Sequence, residues 1–269
     1  RSLAAAESGA PVIYRSVGII GGTNGMGSWL ATLLRKEGYE VHVIGRKTEM
    51  KAADAARRCH VVVVSVPIAA TAEVIASIGP LLAEDQMLMD LTSLKKAPVE
   101  WMLSSSVSEV VGCHPLFGPS VEEARGNGIV LCRGRGEAGY AWIKKVFEQA
   151  GYTLLERTPD EHDRMMSVVQ ALNHFNTIVF GMTMAQSGLP MEEIRRFSTP
   201  MFRGKMDIVK KVMADSPEMY ADIIAGNPHT EQILARYQQI VEEIRNMLAS
   251  GDSSKWKDSV KSAAKTLFR

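Results

Sequence analysis

Four consecutive valines, Val61-Val62-Val63-Val64, constrain the fold of this chain more than any other feature. Successive side chains of a strand point to opposite faces, so a β-branched run without alternation belongs to a strand covered on both sides. That is the signature of a parallel sheet flanked by helices. The apolar run Val17 to Ile20 leads into glycines and then into a stretch whose Trp29, Leu30, Leu33 and Leu34 share one helical face, which reads as a βαβ unit. Further strands are predicted at Glu40–Ile44, His60–Val66, Gln86–Leu91, Glu109–Val111 and Ile129–Arg133. Residues 15–156 are therefore expected to form a doubly wound α/β domain, with residues 1–14 a disordered lead-in.

After Tyr152 to Leu155 the character changes, because Pro159 to Phe268 carries long stretches of helical period and almost no β-branched runs. Residues 157–269 are expected to be helical. One long helix is predicted over Asp160 to Gly188, with Val168, Val169, Leu172, Phe175 and Ile178 on adjoining turns and Gly188 and Pro190 ending it. A helix apolar on more than one side needs more cover than its own domain offers, so a homodimer through this half is expected. Met165, Met166, Met182, Met184, Met201 and Met206 read as packing residues.

The 31 basic and 30 acidic residues leave a net charge of +1, which provides no field to attract nucleic acid or an anionic membrane. No apolar stretch is long enough to span a bilayer. Three cysteines, Cys59, Cys113 and Cys132, lack C-x-x-C spacing and point to a reducing, cytoplasmic setting. The six histidines show no metal-binding spacing, so no metal is expected.

The turn after the first strand reads Gly21-Gly22-Thr23-Asn24-Gly25-Met26-Gly27 and opens directly into a helix. Glycines allow a sharp turn and the close approach of a pyrophosphate, whose charge suits the unpaired N–H groups of a helix N-terminus. Against G-x-G-x-x-G, Gly22 and Gly27 take the first and third places while Asn24 holds the second; Asn tolerates left-handed backbone angles, and Gly25 beside it supplies clearance. Gly22, Thr23, Asn24, Gly25, Met26 and Gly27 are thus assigned to a dinucleotide, together with Val66 and Pro67 at the end of the third strand. At the end of the second strand, where an acid would bind the ribose hydroxyls of NAD, stands Gly45-Arg46-Lys47-Thr48. Arg46, helped by Lys47 or Thr48, favours the 2′-phosphate of NADP over NAD, with Glu49 still able to reach a ribose.

Two more segments fall at predicted strand ends, where open α/β sheets bind ligands. These are Asp90-Leu91-Thr92-Ser93-Leu94-Lys95 and Gly112-Cys113-His114-Pro115-Leu116-Phe117-Gly118. A histidine held there by a following proline suits a general base. Thr92 and Ser93 also suit the cap of a helix starting near Lys95, Lys95 itself reads as a solvated charge or a group facing the nicotinamide, and His162 reads as part of a hydrogen-bonded helix start.

Taken with Glu161-His162-Asp163, Val169-Gln170-Ala171-Leu172-Asn173-His174-Phe175, Ser198-Thr199-Pro200-Met201-Phe202-Arg203 and Tyr220-Ala221-Asp222-Ile223, these strings resemble the prephenate/arogenate dehydrogenase family of tyrosine biosynthesis. The resemblance runs over nearly all of Val17 to Phe268. It implies an N-terminal Rossmann-type domain, a C-terminal all-helical dimerisation domain and NAD(P)-dependent oxidative decarboxylation, of prephenate to 4-hydroxyphenylpyruvate or of arogenate to tyrosine. By the same resemblance His114 is the general base, Ser93 holds His114 or the substrate hydroxyl, and Thr92 lies with the substrate. Arg203 pairs with a substrate carboxylate, for which Arg195, Arg196 and Lys205 are also placed, and His174 contacts substrate or nicotinamide. Two other readings fit the residues less fully: a different dehydrogenase or imine reductase built from the same two kinds of domain, and a dinucleotide-binding regulator without turnover.

Overall fold

The computed structural model describes residues 14–120, 126–251 and 253–268; the remainder of the lead-in, residues 1–13, lies outside them. Along the first half run β1 (Ser16–Ile20), α1 (Gly25–Lys36), β2 (Glu40–Ile44), α2 (Ala52–Arg58), β3 (Val61–Val64), α3 (Ile68–Ile78), β4 (Met87–Asp90), α4 (Lys96–Ser105), β5 (Glu109–Pro115), β6 (Gly128–Arg135), α5 (Ala138–Gln149) and β7 (Thr153–Glu156). The strands form one sheet in the order β2-β1-β3-β4-β5-β6-β7, parallel throughout except where β6 runs antiparallel to β5. The chain leaves β1 for β2 on one side and returns to β3 on the other, which opens a crevice beyond the carboxyl ends of β1 and β3.

The valines do what their pattern demands. Val61 and Val63 pack with Leu30 and Leu34 of α1 and with Ile143 and Phe147 of α5, while Val62 and Val64 pack with Ala55 and Ala56 of α2, Ile75 of α3 and Met102 of α4. All four are fully buried, which stabilises the fold by roughly 1.5–3 kcal/mol per side chain. Tyr14, expected in the lead-in, belongs to this core instead, its ring 5.3 Å from that of Trp142. Aromatic packing draws it in as the residue that leads into β1.

β5 is longer than predicted, running past Val111 to Pro115 because β6 supplies an antiparallel partner along its whole length. Leu116 N–H donates to the Gly128 carbonyl, so the preceding pair, Pro115 with Ile129, is of the type that exchanges no hydrogen bonds. The proline nitrogen thus points away from β6, toward the side where β4 has already ended at Asp90.

The second half contains α6 (Pro159–Met166), a wide π-helical stretch (Ser167–Leu172), α7 (Asn173–Ala185), α8 (Met191–Arg196), α9 (Pro200–Lys210), a second π-helical stretch (Lys211–Asp215), α10 (Pro217–Gly226), α11 (Thr230–Ala249) and α12 (Ser253–Leu267). The helix predicted over Asp160 to Gly188 is thus divided by the π-helical turns, and Gly188 follows its end with a positive φ of 75°. The chain divides into two compact units, residues 1–165 with 218–226, and residues 166–217 with 227–269. The first unit takes in α6, which is hydrogen-bonded to α4 through Asp163 and Lys96. Among the described residues no helix is long and apolar enough to cross a membrane.

Candidate active site

A cleft of about 630 Å³ lies at the carboxyl ends of β1, β2 and β3, lined in part by Gly21, Thr23, Asn24, Gly45, Arg46, Lys51, Val66 and Pro67. The glycine turn shapes one wall. Asn24 is extended, with φ −155°, and Gly25 takes the left-handed conformation at φ +56°, the reverse of what Asn24 was expected to contribute. No atom lies within 4 Å of where a Gly25 side chain would start, so the backbone there is open to close approach. At Gly27 a Cβ would stand 2.7 Å from the Gly21 carbonyl oxygen, so only glycine lets α1 sit against the turn. The first N–H groups of α1 have no intrahelical acceptor, which is what a pyrophosphate site draws on. Gly22 N–H closes the turn on the Ile19 carbonyl and Met26 packs its side chain on the core, and neither is among the residues that line the cleft.

The basic turn is arranged differently from the expectation. Arg46 lines the cleft, but the second cation there is Lys51, whose Nζ donates to the Thr48 carbonyl at 2.6 Å. Lys47 is exposed and outside the lining. The Thr48 hydroxyl is spent on the turn, accepting from Gly45 N–H and donating toward the Gly45 and Met50 carbonyls. Thr48 and Glu49 line a separate surface depression with Arg35 and Arg58. Asp54 accepts from Lys51 N–H at the start of α2. Among the described residues no carboxylate lines the cleft. Lys51 could have been found in the sequence only by knowing that the turn at Gly45–Thr48 folds back on itself.

Beyond β4 and β5 a second cluster is buried. Lys95, read from the sequence as solvated or facing the cofactor, is wholly inaccessible and ion-paired with Asp90, also wholly inaccessible. Its stem lies over Gly112, where a Cβ would come within 3.1 Å of Lys95 Cδ. The Thr92 hydroxyl bonds Asp90 Oδ2 at 2.5 Å and the Leu94 carbonyl at 2.7 Å, so neither it nor Ser93 caps α4. Asp163 does so, accepting from Lys95 N–H at 2.8 Å through Oδ1 and from Lys96 N–H at 2.9 Å through Oδ2. The start of α6 is secured separately by a capping box, Thr158 with Glu161.

His114 stands on β5 with only 4% of its surface exposed. Its Nδ1 lies 2.8 Å from His162 Nε2, and His162 Nδ1 lies 2.8 Å from Asp163 Oδ1. His162 belongs to the hydrogen-bonded start of α6, its N–H donating to the Thr158 carbonyl, and its side chain is also a partner of His114; no hydrogen bond joins Ser93 to His114 among the described residues. The spacing of His162 and Asp163 in sequence offered no hint of this, since the contact spans 48 positions. Burial holds the His114 pKa well below the ordinary imidazole value, with His162 and Lys95 acting in the same direction. Burial also depresses His162, partly opposed by its bond to Asp163. A neutral imidazole of this kind can accept a proton.

Arg203 and His174 belong to the second unit. Arg203 lies on α9, its Nη1 donating to the Ser198 carbonyl at 3.0 Å, behind a start capped by Thr199. His174 begins the second turn-region helix α7, and burial lowers its pKa. Of the methionines, Met166 is buried, whereas Met165, Met182 and Met201 are exposed.

Residues 30–151 match the family profile described as prephenate dehydrogenase, nucleotide-binding domain, and residues 158–262 match prephenate dehydrogenase, dimerization domain. The chain belongs to the prephenate/arogenate dehydrogenase family. It is 33% identical over 238 residues to the T-protein of Enterobacter agglomerans and 30% identical over 234 residues to that of Haemophilus influenzae, matches covering 88% and 87% of this chain. The chain spans only 64% and 62% of those relatives' own length. In fold it resembles prephenate dehydrogenase from Aquifex aeolicus, solved with hydroxyphenyl propionate and NAD+, at a TM-score of 0.77 and 18% identity over 96% of this chain and 98% of that one. Synechocystis arogenate dehydrogenase aligns at 0.72 and 16% identity, over 93% and 98%.

Proposed function

We propose that the chain carries out NAD(P)-dependent oxidative decarboxylation of prephenate or arogenate, with His114 as general base. The observation that carries this reading is His114 itself: a buried imidazole at the end of a sheet strand, held neutral, with Nδ1 engaged by His162 and Nε2 without a hydrogen bond among the described residues. Both substrates bear a ring hydroxyl on the carbon that is oxidised and a ring carboxylate that departs as carbon dioxide. His114 takes the hydroxyl proton as the carbon–hydrogen bond is lost, and the proton returns to the phenolic oxygen once decarboxylation has made the ring aromatic. A bound oxidised dinucleotide supplies the hydride acceptor.

Arg203 gives a planar guanidinium suited to a substrate carboxylate, and His174 a half-buried imidazole for substrate or nicotinamide. Ser93 and Thr92 flank the same strand ends, Thr92 acting through Asp90 because its hydroxyl is already engaged. The dinucleotide is held by Gly22 to Gly27, Val66 and Pro67, and NADP is the preferred form: Arg46 and Lys51 line the cleft and no carboxylate does. Exposed apolar residues of the second unit, Phe197 at 86% and Met201 at 87%, support a homodimer, which light scattering would test.

The deciding experiment is the initial rate of absorbance gain at 340 nm with prephenate and with arogenate, each paired with NAD and with NADP. A rate in any pairing supports the reaction and fixes substrate and cofactor together. Folded protein that binds dinucleotide but is silent in all four pairings overturns it.

A further inference from the structure

Asp163 has little freedom in how it uses its oxygens. Both accept backbone N–H groups at the start of α4, Oδ1 from Lys95 and Oδ2 from Lys96, so the carboxylate serves as an acceptor through each oxygen. His162 Nδ1, 2.8 Å from Oδ1, must then be the donor of that pair. Burial disfavours a doubly protonated His162, so its Nε2 presents a lone pair. That lone pair faces His114 Nδ1 at 2.8 Å, and two bare nitrogens do not approach so closely. The hydrogen between the rings therefore sits on His114 Nδ1.

We infer that Asp163 and His162 are positioning residues that fix His114 as the Nδ1–H tautomer, leaving Nε2 as the nitrogen that takes the proton. The inference rests on the reading of His114 as the base and deepens it. When Nε2 gains a proton, Nδ1–H stays bonded to His162, and no second proton has to move. The imidazolium so formed is connected through His162 to the carboxylate of Asp163, while the buried Lys95, paired with Asp90, opposes its charge. The groups around His114 thus favour its neutral form before the reaction and hold its ring in one orientation throughout.

Nitrogen-15 spectra of histidine-labelled full-length protein at pH 7.5 test this directly. The expected result is a protonated Nδ1 and an unprotonated Nε2 for His114, assigned by comparison with the H114N variant. A protonated Nε2 in the unaltered protein overturns the inference, whatever the variants do. Kinetics give the second arm. H162F removes the acceptor and should lower kcat roughly 100- to 1,000-fold with KM changed less than threefold, as expected for loss of the correct tautomer. H162Q places an amide oxygen where Nε2 was and should recover activity to within about tenfold of the unaltered enzyme. Equal losses in H162F and H162Q, or a threefold or smaller loss in H162F, overturn the positioning role. If H114N itself keeps full activity, the assignment of the base has failed instead, and the nitrogen spectra still decide the tautomer.

Discussion

Replacing Lys95 by Met removes one partner of an ion pair in which both side chains are wholly inaccessible to solvent. Asp90 would keep its bonds from Thr92 N–H and Oγ1 but lose its only charged partner among the described residues. Breaking such a pair from one side costs about 3–5 kcal/mol, because the remaining charge stays buried. At about 2–4 °C per kcal/mol for a domain of this size, the melting temperature of the first unit should fall by roughly 10 °C. The double variant D90N/K95M leaves no charge behind, and Asn retains an oxygen for Thr92, so at least half of the loss should be recovered. Thermal melts followed by circular dichroism, repeated in urea, would measure both. A single variant that loses less than about 1 kcal/mol, or a double variant no more stable than the single, would refute the reasoning. The same substitution removes one of the charges that depress His114, so the acid limb of the pH–rate profile should move to higher pH.

Three further outcomes follow from the same geometry. His114 and His162 are both held below the ordinary imidazole value, so the unfolded chain binds more protons than the folded one once the pH drops below about 6.5. Stability should be fully present above that pH and decline below it by up to roughly 1.4 kcal/mol per pH unit per histidine, until the folded rings titrate; urea titrations at pH 7.5 and 5.5 that agree would exclude this. R46A and K51A should each raise the Kd for NADP about 10- to 100-fold while leaving NAD within about threefold, as judged by calorimetric titration, and equal effects on the two dinucleotides would remove the 2′-phosphate role. G27A should weaken dinucleotide binding at least tenfold, since its Cβ would press to 2.7 Å from the Gly21 carbonyl, and unchanged binding would show that the turn can yield.

The parts of the fold that were legible in the sequence are those set by local pattern. Val61 to Val64 announced a strand covered on both faces, and Leu30 and Leu34 announced the face of α1 that covers it. Gly112 and Pro115 are residues that local pattern does not place inside a strand. The structure admits them because a neighbouring strand ends at Asp90, leaving Pro115 no ladder bond to forfeit, and because Gly112 makes room for the Lys95 stem. His114 could be singled out from its strand-end setting, and the glycine turn from its place between strand and helix. What could not be read were the long-range pairings. Lys95 and Asp90 are five residues apart in a string that gives no sign of burial, and His162 meets His114 only through the tertiary fold. Charged residues are assigned to the surface by default, and a buried pair violates that default without any local mark.

α6 supplies the first eight residues of a helical segment that continues through the π-helical stretch Ser167–Leu172. Besides the exposed ion pair of Asp160 with Lys96, it is seated by Asp163, which grips the first two N–H groups at the start of α4 and, through His162, the ring of His114. A momentary opening of this one segment would release all three at once while the seven-stranded sheet behind it stayed intact. Catalytic competence and global folding are then separate equilibria, the first governed by a segment that opens far more cheaply than the core. On warming, the proposed activity should be lost while the sheet is still folded, and return on cooling as long as the sheet has not melted.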